Sequence, residues 1–230
     1  MKKYYLIVLS IISLAGILAS CNGNGKTAEA GSEETVEKVA TTGTLAGHDW
    51  VDLGLSVRWA ICNVGANSPE EYGNYFAWGE TTVKDNYTED SYKYYNGTNL
   101  TKYTAGESDK LTSLDPSDDA AAANWGNGWR MPTIAELKEL KTKCIWTWKP
   151  EGGYDVKGPN GQSIFLPAAG YYRGKILFSE GAYGSGEYWA NSIDVDGAFR
   201  AGYIIFHANY YGVDYGTRED GLPIRAVCEK

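Results

Sequence analysis

Glycine and large aromatic residues set the strongest limit on how this chain folds. Its 230 residues include 28 Gly, 18 Tyr and 8 Trp. Glycine weakens long helices and suits tight turns, whereas Tyr and Trp fit the half-buried surfaces of strands. Hydrophobic residues make up 43% of the chain and charged residues 22%, which is typical of a globular protein and not of a disordered one. These features predict a domain rich in strands and loops.

The charge balance excludes one class of partner. The chain carries 21 Lys and Arg against 29 Asp and Glu, a net charge of -8. Because a nucleic-acid-binding protein needs a dense basic face to displace phosphate counterions, we expect no nucleic-acid partner. His48 and His207 stand alone, without metal-ligand spacing, and no glycine-rich phosphate loop opens a helix. We therefore expect neither a metal nor another cofactor.

The N-terminal segment has the layout of a bacterial lipoprotein signal. Lys2 and Lys3 precede an apolar run up to Leu18, and the residues ending at Cys21 read LASC, which resembles a lipobox. Residues 1–20 are therefore interpreted as a signal peptide and Cys21 as the lipidated residue. The alternative is an ordinary signal peptide that happens to contain a cysteine.

The composition changes after Cys21. Residues 21–46 are rich in Gly, Thr, Ala and Glu and contain no aromatic residue, which predicts a flexible acidic tether. Residues 47–230 are long enough for one folded domain. This organisation predicts a cell-envelope protein that contacts the membrane only through its lipid anchor. We expect the outer membrane, with the domain facing either the cell surface or the periplasm.

Local patterns predict one clear helix among short strands. Thr133 and Glu136 have the spacing of a capping box, and the apolar residues that follow share one helical face. Asp119 precedes an alanine run that favours a second, short helix. Alternating residues on both sides of residues 158–161 predict a hairpin. Residues 81–114 contain five tyrosines without a sustained period, which predicts a long surface excursion.

Seven segments in register carry a resemblance to a known family. In chain order they are VDLGLSVRWAICNVGA, YGNYFAWGET, GWRMPTIAELKEL, KCIWTW, GPNGQSIFLPAAGYY, EYWANS and IRAV. They resemble the Fibrobacter succinogenes major paralogous domain, a family abundant in lipoproteins of gut Bacteroidetes. The resemblance implies an α+β fold similar to C-type-lectin-like domains, with a twisted antiparallel sheet, one clear helix and long loops. Five tryptophans in or beside these motifs are expected to pack in the core or under loops; they are Trp59, Trp78, Trp125, Trp129 and Trp189.

Residues that carry chemistry in similar folds are missing from the sequence. Sugar-binding C-type lectins hold calcium with Glu-Pro-Asn and Trp-Asn-Asp motifs, and neither occurs here. Formylglycine-generating relatives use a reactive cysteine pair near the C-terminal end of the domain, where this chain has only Cys228. Glycoside hydrolases need two facing carboxylates, and the sequence favours no particular pair. A non-catalytic protein is therefore expected.

Three cysteines remain after Cys21, so at most one disulfide can form among Cys62, Cys144 and Cys228. Cys62 and Cys144 both lie inside segments that resemble the family, and they are the pair expected if a disulfide forms. The alternative is that all three are small buried hydrophobic residues.

The predicted ligand face lies late in the chain. In C-type-lectin-like relatives the contact residues cluster on the late strands and the loops between them, and the matching stretch here is residues 207–218. Tyrosine rings there supply large rigid surfaces beside directional polar groups, and Gly212 and Gly216 are expected to let the backbone turn. The alternative is that these rings pack on their own sheet. The candidate contact residues are Asn209, Tyr210, Tyr211, Asp214, Tyr215 and Arg218, bordered by Tyr171 and Tyr172.

Together these observations favour ligand binding over catalysis. The sequence predicts a cell-envelope lipoprotein whose lectin-like domain binds a glycan or a surface protein. One alternative is a structural or adhesive surface subunit, such as a fimbria-associated component. The other is an unrecognised carbohydrate-active enzyme.

Overall fold

Antiparallel pairing of short strands builds most of the regular structure. A computed structural model describes residues 40–106, 109–126, 128–178 and 184–230. The predicted signal peptide, Cys21 and the tether up to residue 39 lie outside the described residues. The strands are β1 Thr42–Leu45, β2 His48–Asp52, β3 Arg58–Ala60, β4 Trp129–Arg130, β5 Ile145–Lys149, β6 Gly153–Lys157, β7 Ser163–Pro167, β8 Tyr171–Arg173, β9 Ile176–Phe178, β10 Ser185–Ile193, β11 Arg200–His207, β12 Tyr210–Thr217 and β13 Val227–Cys228; the α-helices are α1 Ala120–Trp125 and α2 Ile134–Lys143.

The described strands are divided among four sheets. One has five strands in the order β1-β2-β3-β13-β4, two have three strands in the orders β5-β6-β7 and β10-β11-β12, and β8 pairs with β9. This confirms the coarse expectation of antiparallel sheet with few helices. The sheet is divided into several small ones because turns and loops interrupt the short strands.

The ordered fold begins before residue 47, where the tether was expected to end. Residues 42–45 form β1, which pairs with β2 from Thr42 opposite Val51 to Leu45 opposite His48. The two strands are joined by Ala46 and Gly47, whose φ angles of 49° and 84° are those of a tight hairpin turn. The predicted boundary was therefore a few residues late, since the strand contains only small and polar residues before Leu45.

Both predicted helices are confirmed, and side chains cap them as expected. Asp119 accepts hydrogen bonds from the first amides of α1, and its second oxygen accepts one from the Met131 amide at 2.8 Å. At α2 the Thr133 hydroxyl accepts from the Glu136 amide at 3.1 Å, and the Glu136 carboxylate accepts from the Thr133 amide at 2.7 Å. This reciprocal box fixes the start of α2.

Two hydrophobic clusters form the core of the described domain. One is built around the five-stranded sheet and α1, and the other lies between α2, the β5-β6-β7 sheet and one side of the β10-β11-β12 sheet. The prediction that the five tryptophans named above pack inside is confirmed, since each is at most 9% exposed. The β10-β11-β12 sheet contributes residues to both clusters and packs against both of them.

The expectation of a surface excursion at residues 81–114 is wrong for most of its tyrosines. Tyr87, Tyr92, Tyr94 and Tyr103 are all buried. Three of these rings pack around Arg218, whose guanidinium carbon lies 4.7–5.9 Å from the ring centroids of Trp78, Tyr92, Tyr94 and Tyr103. Such stacking of a cation on aromatic faces is favourable and strengthens out of water.

Every nitrogen of the Arg218 guanidinium also donates a hydrogen bond. Nε donates to the Tyr92 hydroxyl at 2.8 Å, Nη1 to the Tyr103 and Ala198 carbonyls, and Nη2 to the Lys102 carbonyl at 3.1 Å. The side chain is 1% exposed. The prediction that Arg218 contacts a ligand is therefore wrong. Its guanidinium is buried, and its nitrogens donate to groups of the protein that link the tyrosine-rich excursion to the end of β12.

The expected Cys62–Cys144 disulfide is not formed. Cys62, Cys144 and Cys228 are all free thiols in the structure. Cys62 lies in the electrostatic environment of Arg225 and Asp49, whereas Cys144 ends α2 next to Glu139. The two thiols thus occupy different parts of the fold, and burial raises the pKa of Cys144 to about 11.

Replacing Arg218 by Lys should destabilise the domain by about 2–4 kcal/mol, because an ammonium cannot reproduce the planar fork and its four hydrogen bonds. Arg200→Lys is the matched control, since the Arg200 side chain is 51% exposed and should cost less than about 1 kcal/mol. Urea unfolding of both variants measures the difference. Equal stability of the two variants would contradict the role given to Arg218.

Candidate functional site

The predicted ligand stretch is one continuous strand at the end of a sheet. β12 pairs with β11 without interruption, from Arg200 opposite Thr217 to His207 opposite Tyr210. Because side chains alternate along a strand, Tyr210 and Asp214 share one side, and Tyr211 and Tyr215 share the other. The candidate contact residues are therefore divided between two environments.

The side of β12 that carries Tyr211 faces the core. Its ring stacks on Trp146 of β5, with centroids 4.8 Å apart and planes at 8°. Tyr215 lies beside Gly202 and Ile134, where β11 and β12 meet α2. The prediction that Tyr211 contacts a ligand is corrected, because its ring packs on Trp146 as the alternative proposed. Tyr215 is partly exposed, but it lies on the opposite side of β12 from Tyr210 and Asp214 and does not share a rim with them.

The opposite side is open along part of its length, and we call it the outer face. Strand register places Glu187 of β10, Tyr203 and Ile205 of β11, and Tyr210 and Asp214 of β12 on it. Tyr210 is 49% exposed and stacks on His207 at 5.4 Å. Asn209 is also exposed, in the turn before β12. These positions keep Asn209, Tyr210 and Asp214 as candidate contact residues.

Gly212 and Gly216 act differently from what the sequence suggested. Both lie inside β12, not at a turn. A side chain at Gly212 would overlap the Tyr210 phenol, and a Cβ at Gly216 would come within 2.9 Å of the Tyr203 ring. The two glycines therefore leave room for tyrosine rings to lie on the outer face.

The β8-β9 hairpin brings Tyr171 to the outer face and turns Tyr172 away from it. The Gly170 amide donates to the Ser185 carbonyl at 2.7 Å, which sets β8 beside β10. Tyr171 stacks on Phe178 at 5.4 Å and lies close enough to Glu187 for the two groups to interact electrostatically. This supports the predicted border at Tyr171.

Tyr172 belongs to a separate pocket on the other side of β8. Its ring meets Tyr75 edge-on at 4.8 Å and stacks on Tyr87 at 5.6 Å. The pocket has a volume of about 370 Å³ and is also lined by Lys84 and Asp85. The prediction that Tyr172 borders the same rim is therefore wrong, since adjacent residues of a strand point in opposite directions.

Glu187 is the unusual group of the outer face. It is 9% exposed, and no donor among the described residues hydrogen-bonds or ion-pairs with its carboxylate. Burial, followed by the negative charge of Asp220, raises its pKa from 4.5 to about 7. A mostly buried carboxyl without a hydrogen-bond partner among the described residues, with a pKa moved towards neutrality, is typical of a functional position.

The acids and bases around Glu187 come from several elements. Arg173 is held by Asp220 through two bonds, Nε to Oδ1 at 3.0 Å and Nη2 to Oδ2 at 2.7 Å. Thr217 donates to the same Asp220 carboxylate at 2.8 Å. Asp220 is thus buried and its carboxylate is fully used by protein donors. Burial and the nearby Glu187 also raise the pKa of Tyr203.

Sequence reasoning missed Glu187 as a site residue. It was interpreted only as part of the strand that contains Tyr188 and Trp189. One signal was present, because an acid inside an otherwise apolar and aromatic strand is a poor fit to a buried sheet unless it has a partner or a function. Its neighbours come from β8, β11 and β12, and that assembly is long-range.

Comparison with known proteins finds no matching family model, no matching curated protein and no matching solved structure. In the described part of the chain, His, Cys, Asp and Glu side chains do not gather in threes that could hold a metal ion. No helix within the described ranges is long and apolar enough to cross a membrane.

The raised pKa of Glu187 makes stability depend on pH. The folded state holds this proton more tightly than the unfolded state, so the contribution is complete below about pH 4.5 and is lost as pH rises through about 7. Glu187→Gln should therefore gain stability relative to wild type between about pH 5 and pH 8, by up to about 3 kcal/mol.

Urea unfolding at the two pH values measures this gain, and Glu70→Gln serves as the control because Glu70 is exposed. A stability difference between Glu187→Gln and wild type that does not change with pH would overturn the assignment.

Proposed function

We propose that this protein is a cell-envelope lipoprotein, attached to the outer membrane through lipid on Cys21, whose C-type-lectin-like domain binds a glycan without cleaving it. The proposal places the chain with the major paralogous domain lipoproteins that its sequence resembles. Antiparallel sheets with two helices and long connections agree with such a domain.

The outer face is the observation that carries the binding function. Sugars present flat C–H faces that stack on aromatic rings and hydroxyls that donate to carboxylates. Tyr171, Tyr203 and Tyr210 supply rings, while Glu187 and Asp214 supply carboxylate oxygens on the same side of the sheet. Because this face is built on paired strands, its groups are held in fixed positions, which lowers the entropic cost of binding.

Glycoside hydrolysis is the second candidate function. Glu187 has the raised pKa of a general acid, and Asp214 stands two strands away on the same face as a possible second carboxylate. Incubation of a bound oligosaccharide with the protein separates the two functions. Release of new reducing ends that Glu187→Gln abolishes would establish hydrolysis, and an intact ligand supports binding alone.

Lipidation is tested by Cys21→Ala. Loss of the thiol removes the attachment point for the diacylglycerol, so the variant should leave the membrane fraction or accumulate with its signal peptide uncleaved. Fractionation and mass spectrometry of the N-terminal peptide provide the measurement. A fully processed variant in the membrane at wild-type level would contradict the anchor.

Two adjacent tyrosines test the binding face. A glycan array probed with the full chain in detergent identifies a ligand, and Tyr210→Ala should then weaken its binding about 5- to 150-fold with little change in stability. Tyr211→Ala should instead lower the free energy of unfolding by about 2–4 kcal/mol, because its ring packs on Trp146.

The affinity of the Tyr211→Ala variant, corrected for its folded fraction, should match wild type. If Tyr210→Ala binds normally while Tyr211→Ala does not, the two sides of β12 have been assigned the wrong way round.

A further inference from the structure

Glu187 stands out because the one cation that interacts with it among the described residues is already bound by another carboxylate. The groups that interact with it are Asp214 from β12, Tyr203 from β11, Tyr171 and Arg173 from β8, and Asp220 beyond β12. Of these only Arg173 is cationic. Its guanidinium is bound in bidentate fashion by Asp220, so Glu187 faces a set of groups that is negative or aromatic.

The aromatic neighbours suit a cation better than an anion. A tyrosine ring presents a negative face, and a cation within about 6 Å of the centroid is attracted to it. Arg173 already uses this property, since its guanidinium carbon lies 5.4 Å from the Tyr171 ring. The position beside Glu187, between Tyr171 and Tyr203, combines the same aromatic surface with an unsatisfied carboxylate.

We propose that Glu187 binds a protonated primary amine, so that the glycan recognised by the outer face carries an unacetylated amino sugar. This inference rests on the proposed glycan function and makes its ligand class specific. The ammonium donates to the Glu187 carboxylate, Tyr171 and Tyr203 flank it, and the adjoining sugar ring stacks on Tyr210. Acetylation of the amine removes both the charge and two of its donors, and leaves the carboxylate unpaired.

The raised pKa of Glu187 agrees with this assignment. In the free protein, burial favours the neutral form of the Glu187 side chain. A bound ammonium favours the ionised form instead and offsets part of the free-energy cost of removing the carboxylate from water. A neutral hydroxyl supplies no such charge and gives the carboxylate no comparable stabilisation. The site therefore discriminates by charge as well as by shape.

The test uses three tetrasaccharides that differ in one substituent: glucosamine, N-acetylglucosamine and glucose oligomers. Calorimetry with the full chain in detergent, at physiological ionic strength, measures each affinity. We expect the glucosamine oligomer to bind at least about tenfold more tightly than the other two. Glu187→Gln should remove this preference.

Glu70→Gln provides the matched control because it removes the same charge from an exposed position. It should keep the preference, since general attraction of a polycation to an acidic protein depends on net charge and not on one carboxylate. Equal loss in both variants would overturn the assignment to Glu187.

The other outcomes separate the two proposals. Equal binding of all three oligomers would overturn amine recognition and leave glycan binding in place. Binding of none would overturn amine recognition, and a glycan array without any ligand would then overturn the glycan function itself. In a crystal structure of the complex, the ligand nitrogen should lie within hydrogen-bonding distance of the Glu187 carboxylate; a nitrogen turned to solvent would contradict the proposal.

Discussion

The enclosed guanidinium of Arg218 is the interaction on which the rest of the fold depends. It joins the tyrosine-rich excursion, the connection between β10 and β11, and the end of β12 through four hydrogen bonds and four aromatic rings. A single planar cation with five donors can satisfy carbonyls from several segments at once. The excursion has little regular structure of its own, and this contact gives it a fixed position.

The same contact positions the candidate site. Arg218 follows the last residue of β12, and Asp220 lies two residues further on. Since Asp220 holds Arg173 and accepts from Thr217, the ordered end of β12 also orders the β8 strand. Tyr171 is thereby kept next to Glu187. Polar contacts that begin at the buried Arg218 and continue through Asp220 therefore help to assemble the outer face.

Local features of the fold could be predicted from the sequence, and long-range ones could not. The cap of α2 and the hairpin around residues 158–161 depend on residues only a few positions apart, and both were predicted correctly. The strand containing Tyr210 was not predicted, because Gly212 and Gly216 suggested a turning loop in which all the candidate side chains share one rim. Strand register shows that these glycines instead accommodate the Tyr210 and Tyr203 rings.

Arg218 and Glu187 show why the site itself was only half predicted. Both are charged residues late in the chain, and the sequence gives no direct sign of which one has hydrogen-bond partners in the folded protein. Arg218 finds partners more than a hundred residues away along the chain. Glu187 finds none among the described residues, and this difference appears only after the β8-β9 hairpin and the late sheet are brought together.

The central claim is that Glu187 is a mostly buried carboxyl without a hydrogen-bond partner among the described residues. Carbon NMR of the full chain labelled at glutamate side-chain carboxyls, assigned by loss of one signal in Glu187→Gln, measures its titration directly. The account predicts a midpoint at about 7. A midpoint in the ordinary range, near 4.5, would show that the carboxylate is solvated or already paired and would contradict the account.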